Sequence, residues 1–195
     1  LYKINSFILC FNKLKFSLES YIVSRKLFAI NVILFVHRST LHNLIISKLF
    51  KYTLFTFFKL PSVFWTGIRT TKVDDNCCVV SVRHRWINQN PFKSMFWAVQ
   101  GMAAEFTTGL LIRNGIRESK ANISMLVLNN KANFSKKARG RITFSCSQGN
   151  EIKKLMNDLL KSGTSKTIWL ESVGTDETGD TVSRFNFEWT LSIKK

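Results

Sequence analysis

Acidic residues are scarce in the first third of this chain, and so are glycine, proline and methionine. Residues 1–72 hold one carboxylate, Glu19, against eleven Lys and Arg. The first proline is Pro61, the first glycine Gly67 and the first methionine Met95. Residues 1–60 contain one alanine but nine phenylalanines, and most of the rest are Leu, Ile, Lys, Asn and Ser. Phe, Leu, Ile, Lys and Asn are residues that AT-rich codons specify. We therefore expect residues 1–48 to be an N-terminal extension, either a translated upstream region or a start placed too early. The apolar run LFAINVILFV at 27–36 has ten residues between Arg25-Lys26 and His37-Arg38. Crossing a bilayer takes about twenty, so no membrane span is expected. No small-residue cleavage site marks a signal peptide.

Other signatures are missing too. The four cysteines, Cys10, Cys77, Cys78 and Cys146, include two sequence neighbours and no C-x-x-C. That excludes a disulfide framework and a zinc site, and it points to a reducing, cytoplasmic compartment. There is no Ser-His-Asp set, Walker loop or dinucleotide fingerprint. The net charge of +17 invites a nucleic-acid reading, but +10 of it lies in residues 1–72 and +7 in 73–195. The run KKARGR at 136–141 has no interleaved aromatics, so it reads as a solvated turn or a site that steers an anionic ligand. No nucleic-acid partner is expected, although a basic nucleic-acid-associated protein stays among the alternatives.

What is present looks like one domain at 49–195. Apolar residues make up 45% of the chain, enough for a packed core. Residues 49–65 read as a short apolar helix ending near Pro61. Residues 67–87 read as two strands about an Asp74-Asp75-Asn76 turn, with Cys78, Val80, Val82, His84 and Trp86 on one face. Asn90-Pro91 ends that pair, Ser94 can cap, and a helix follows at about 95–113. Strands are predicted at 122–137 and 140–148. A helix at 150–163 has Asn150 as its cap and Gly163 past its end. Two strands at 165–174 and 180–195 flank a TDETG turn. In the last, Phe185, Phe187, Trp189, Leu191 and Ile193 alternate with polar residues. Strands outnumber crossover helices, so the class is α+β with an antiparallel sheet. A helix as apolar as 95–112 must be covered on most sides, which requires a curved sheet wrapped around it.

One charge, Glu105, stands between Lys93 and Arg113. At about 100° per residue, Ala98, Gly101, Glu105, Thr108 and Gly109 share one side of the helix, with Gln100 roughly opposite. A lone carboxylate in a stripe of small residues is a candidate for chemistry or for an ion pair with Arg83 or Arg85. His84 reads as a core or helix-packed histidine.

The layout over 62–195, with NPFKSMFWAVQGMAAEFTTGLL, resembles the hot-dog fold of acyl-CoA thioesterases, in which a sheet wraps a central helix. The pattern N-P-F-x-S…A-A-E…T-G is similar to an uncharacterised thioesterase-like branch. The resemblance implies that Glu105 is the catalytic carboxylate, acting as general base or nucleophile in thioester hydrolysis. Phe96, Trp97 and Ala98 stand where many members have His-Gly-Gly, and the Trp97 amide takes the oxyanion role. Asn90 would orient a carbonyl or water, or serve only as a turn residue before Pro91. Thr108 would hold the carboxylate or its water. The substrate implied is acyl-CoA or an acyl-carrier protein. Lys136, Lys137, Arg139 and Arg141 are candidates for its phosphates. Coenzyme A enters only as part of the substrate, and neither a further cofactor nor a metal is implied. A homo-oligomer, dimer or tetramer, is expected. The alternative is a non-catalytic acyl-CoA or lipid-binding dimer.

Overall fold

Strands form where apolar and polar side chains alternate, and helices form where the apolar period lengthens. In the computed structural model, which describes residues 49–194, the chain divides into units Leu1–Lys48 and Leu49–Lys195. The expectations for the extension, the run at 27–36, His37 and His42 lie outside the described residues. The second unit begins with α1 at 49–59, then α2 (Pro61–Trp65), β1 (Arg69–Val73) and β2 (Cys78–Arg83). The long helix α3 (Trp97–Ser119) follows, then β3 (Ile123–Phe134) and β4 (Arg141–Cys146). Last come α4 (Gly149–Ser162), β5 (Lys166–Thr175) and β6 (Thr181–Ile193).

The six strands make one sheet in the order β1-β2-β4-β5-β6-β3, antiparallel at every pairing. β2, β4, β5 and β6 all pack on α3, so the sheet wraps the helix as expected for the α+β class. Val80, Val82, Ile142, Phe144, Leu170 and Leu191 are buried beneath it. Gly101 and Gly109 let two β6 rings come close: an added Cβ would lie 3.5 Å from Phe185 and 3.5 Å from Trp189. The small residues of the helix stripe thus serve sheet packing.

Hydrogen bonds through the core fix the helix to the sheet. Ser183 Oγ donates to Gln100 Oε1 at 2.9 Å, and Gln100 Nε2 donates to the Met95 carbonyl at 3.3 Å. Thr107 Oγ1 donates to Ser172 Oγ at 2.9 Å. Trp189 Nε1 donates to Thr108 Oγ1 at 3.1 Å. These groups are all buried, where an unmade bond costs roughly 1–3 kcal/mol.

Several local expectations are corrected. α1 ends just before Pro61, as expected, but a second short helix, α2, starts at Pro61, where its missing N–H costs nothing. β2 stops at Arg83; Trp86 lies in a short 3-10 turn (Trp86–Asn88) and is 84% exposed, off the core face. His84 is half-buried beyond the strand, and its Nε2 is buried without a partner. α3 runs six residues past 113 to Ser119, ended by Lys120 at φ 55°. Its N-cap is Phe96, not Ser94, and no side chain caps it. Asn150 lies inside α4, whose N-cap is Gln148; Gly163, at φ 66°, ends that helix as expected. Ile193 is partly exposed at the end of β6.

Gly174 is the Cα partner of Phe144. An added Cβ would come 2.5 Å from the ring, which has no exposed surface. Gly174→Ala is therefore expected to lower stability by about 1–3 kcal/mol through overpacking, read as a lower urea midpoint at unchanged slope.

Candidate active site

The start of α3 is built by the loop before it. Asn90 Oδ1 accepts from the amides of Phe92 at 2.9 Å and Ser94 at 3.2 Å, and Asn90 Nδ2 donates to Ser94 Oγ at 3.1 Å. Ser94 is thereby drawn away from the helix end. Met95 N donates to the Ala138 carbonyl and Phe96 N to the Asn88 carbonyl, which pins the helix start to two other segments of the same chain. Val99 and Gln100 amides both bond to the Phe96 carbonyl. Among the described residues the Trp97 and Ala98 amides have no acceptor, so the helix start offers open N–H donors at its positive end. A cavity of about 400 Å³ lies here, lined by Asn90, Ser94, Trp97, Gln100, Phe134 and Lys137, among others. Trp97 itself is 59% exposed and packs edge-on against Phe96.

Glu105 lies two turns further on, about 12 Å along the axis. It borders a second cavity, of about 200 Å³, whose walls include Phe55, Val63, Met102, Phe106, Met125 and Trp189. The carboxylate reaches solvent at the mouth of this cavity. Even so, the apolar walls strip enough water to raise its pKa above the ordinary glutamate value, with burial as the cause.

Six polar side chains lie along the middle of α3: Gln100, Glu105, Thr107, Thr108, Arg113 and Asn114. Gln100, Thr107 and Thr108 are bonded to β5 or β6, and Asn114 Oδ1 accepts from Tyr52 Oη at 3.4 Å. Among the described residues the two charged groups, Glu105 and Arg113, have no hydrogen bond or ion pair; both are exposed, whereas the four bonded groups are buried. The ion pair with Arg83 or Arg85 does not form. Arg113, on the same cavity, stacks over Phe55 at 4.3 Å. Thr108 does not hold the carboxylate. It accepts from Trp189 and donates to the Glu105 backbone carbonyl at 2.9 Å.

The basic run divides. Lys136 Nζ sits 2.6 Å from Asp176 and 2.7 Å from Asp180, and it is exposed. Its charge is matched within the turn it braces, and Asp176 is held well below the usual carboxylate range by Lys136 and Thr178. Lys137 lines the helix-start cavity. Arg141 is the Cα partner of Arg83, and both are exposed. Like charges directly opposite across a sheet repel. Arg139 is exposed between Lys137 and Arg141. Sequence reasoning missed the Lys136 clamp, although the TDETGD turn places two aspartates four residues apart. It also missed the walls of the Glu105 cavity, which come from elements distant in sequence. Among the described residues no cluster of His, Cys, Asp or Glu could hold a metal, and no helix is long and apolar enough to cross a membrane.

The same architecture recurs in solved structures. A Pseudomonas aeruginosa protein of unknown function, described as a probable thioesterase, superposes with a TM-score of 0.64 at 20% identity, over 72% of this chain and 92% of that one. A Chlorobaculum tepidum protein of unknown function gives 0.64 at 16% identity, over 74% and 93%. A thioesterase enzyme from Staphylococcus aureus gives 0.54 at 15% identity, over 67% and 98%. At such identities the likeness is one of fold, and the fold is hot-dog. No curated protein matches the sequence. Residues 48–191 match the profile of a family described as a domain of unknown function, DUF4442, and the chain belongs to that family.

Proposed function

We propose that the protein hydrolyses an acyl thioester, with Glu105 as the group that activates water. The observation that carries this reading is the Glu105 carboxylate at the mouth of an apolar cavity, without a hydrogen bond or ion pair among the described residues and with its pKa raised by partial burial. Its raised pKa suits a general base, which works best with a pKa near the operating pH. A second observation supports it. Structures of the Staphylococcus aureus protein carry alanine in place of a glutamine and in place of a glutamate fifteen residues further on. Asn90 and Glu105 are also fifteen residues apart.

In this mechanism water attacks the thioester carbonyl carbon while Glu105 takes its proton. The oxyanion accepts from the open Trp97 amide, and its collapse releases the thiolate, which recovers the proton from Glu105. Asn90 keeps the helix start open by holding Ser94. The two halves are too far apart in one chain for a single carbonyl to reach both. The site therefore takes the helix start from one copy and Glu105 from another, joined along the edge strand β3, whose Leu126, Leu128 and Phe134 are exposed. Lys137, Arg139 and the Arg83–Arg141 pair suit the phosphates of coenzyme A or of a carrier's phosphopantetheine. Lys136, already matched by two aspartates, has little charge to add. The exposed Trp97 over the helix start favours the one rival, a dimer that binds acyl-CoA without turning it over.

Thiol release from a panel of acyl-CoAs decides between them. Turnover by the full chain is expected, with Glu105→Ala reducing it roughly 10²–10⁴-fold while the oligomer stays intact. Acyl-CoA binding without turnover would favour the rival, and turnover surviving in Glu105→Ala would remove Glu105 from the chemistry. The pH dependence gives an independent check. Because the base must be ionised, kcat/KM is expected to rise with pH through a midpoint above the ordinary glutamate value of 4.5, and Glu105→Gln should lack that limb. A raised folded-state pKa means the native state binds the proton more tightly than the unfolded one. Wild-type stability should thus fall as pH rises through the window between the ordinary and the raised value, and Glu105→Gln should not show that fall.

Charge reversal in Arg139→Glu/Arg141→Glu is expected to raise KM for acyl-CoA several-fold with kcat nearly unchanged, as loss of uniform binding does. An unchanged KM would place the phosphates elsewhere.

A further inference from the structure

We infer that α1 and α2 form a docking surface for an anionic lipid bilayer. The observation is an inverted helix. α1 turns Tyr52 and Thr56 inward, where both are buried, and turns Phe50, Leu54, Phe57 and Phe58 outward. Phe50 is 64% exposed and Phe58 68%; Trp65, at the end of α2, is 63% exposed. A helix packed only for its own core would place these rings on the other side.

The outward rings are fixed in place. Phe58, Phe57, Phe64 and Trp65 form an edge-to-face series with centroids 4.9, 5.0 and 5.5 Å apart. The Arg69 guanidinium lies 4.4 Å above Phe64. The patch therefore presents a preorganised apolar surface that loses little side-chain freedom on docking.

Charge identifies the occupant. No acidic residue occurs between residues 49 and 73, whereas Lys51 and Lys59 are exposed beside the rings. Lysine is depleted at protein–protein interfaces. Lysine beside Trp, Phe and Leu is the composition of segments that sink about 5–10 Å into a headgroup layer of negative charge. The inner side of the same helices helps wall the Glu105 cavity through Phe55, Leu60 and Val63. On the proposed hydrolase reading, an acyl chain would pass from the bilayer to that cavity between α1, α2 and α3. Docking itself does not depend on that reading.

The test is co-sedimentation of the full chain with vesicles of phosphatidylcholine alone and of phosphatidylcholine mixed with phosphatidylglycerol. The wild type is expected to sediment with the mixed vesicles, and less as salt rises. Phe50→Ser/Phe58→Ser/Trp65→Ser should weaken this by at least ~10-fold, and Lys51→Glu/Lys59→Glu should weaken it on mixed vesicles alone. None of these side chains lines the Glu105 cavity, so thiol release from a short, water-soluble acyl-CoA should be unchanged in both variants. Equal sedimentation of the triple serine variant and the wild type would overturn the inference, because another segment would then hold the bilayer. So would a wild type that ignores both vesicles, and loss of oligomerisation in the serine variant would then assign the patch to a second copy. A protein that docks but releases no thiol would leave the surface standing and remove the hydrolase.

Discussion

The fold depends on hiding a helix that is apolar on nearly every side. A straight amphipathic helix needs one covering layer, but α3 buries Phe106, Ala103, Thr107, Leu111 and Ile112, which point in several directions around its axis. A flat sheet cannot reach them all, so the sheet has to curl, and its strands must come close to the helix. Gly101 and Gly109 face the Phe185 and Trp189 rings of β6 at contact distance. Burial of this kind is costly for any polar group caught inside unless it finds a partner. The buried bonds from Gln100, Thr107 and Thr108 to β5 and β6 are a direct consequence of that rule, and they also set the rotation of the helix within the sheet.

Against that background Glu105 stands out. The residue reaches solvent, so a charge is tolerated there, but the apolar walls beside it remove part of the water that a free carboxylate would have. The helix dipole does not help, because the residue lies well inside α3, far from either end. The protein keeps a group whose ionised form is disfavoured and leaves it facing a small apolar cavity. Such an arrangement raises the proton affinity of the carboxylate while leaving it open to a ligand. An ion pair with Arg113 would have undone it, but the Arg113 guanidinium lies over Phe55 instead.

Much of this was legible in the sequence because it rests on local periodicity. The strict alternation of residues 185–191 fixes the buried face of β6, and Ile152, Met156 and Leu159 fix that of α4. The isolation of Glu105 among apolar residues shows in one line of text. Reading failed where tertiary contacts decide. Trp86 continued the alternation of β2 on paper, but the Asn88 side chain bonds the Arg83 carbonyl and the Arg85 amide and turns the chain away. Ser94 had the chemistry of a cap and spends it on Asn90. Thr108 had the right spacing to reach Glu105 but is held by Trp189, eighty-one residues away. The run 136–141 read as uniform charge, whereas Asp176 and Asp180 neutralise one of its members. In each case a polar or charged side chain found a partner that local sequence does not reveal.

The separation of the helix start from Glu105 has a geometric consequence. For the Trp97 amide of one copy to meet Glu105 of another, the two α3 helices must run antiparallel across a two-fold axis. That axis must pass near the level midway between the two residues, which is Gly101. Antiparallel pairing of β3 with its own copy supplies the required reversal of direction. On the proposed reading the same symmetry would yield two equivalent sites, each with one helix start and one carboxylate, and the apolar cavity would acquire its reactive end only when a second copy closed over it.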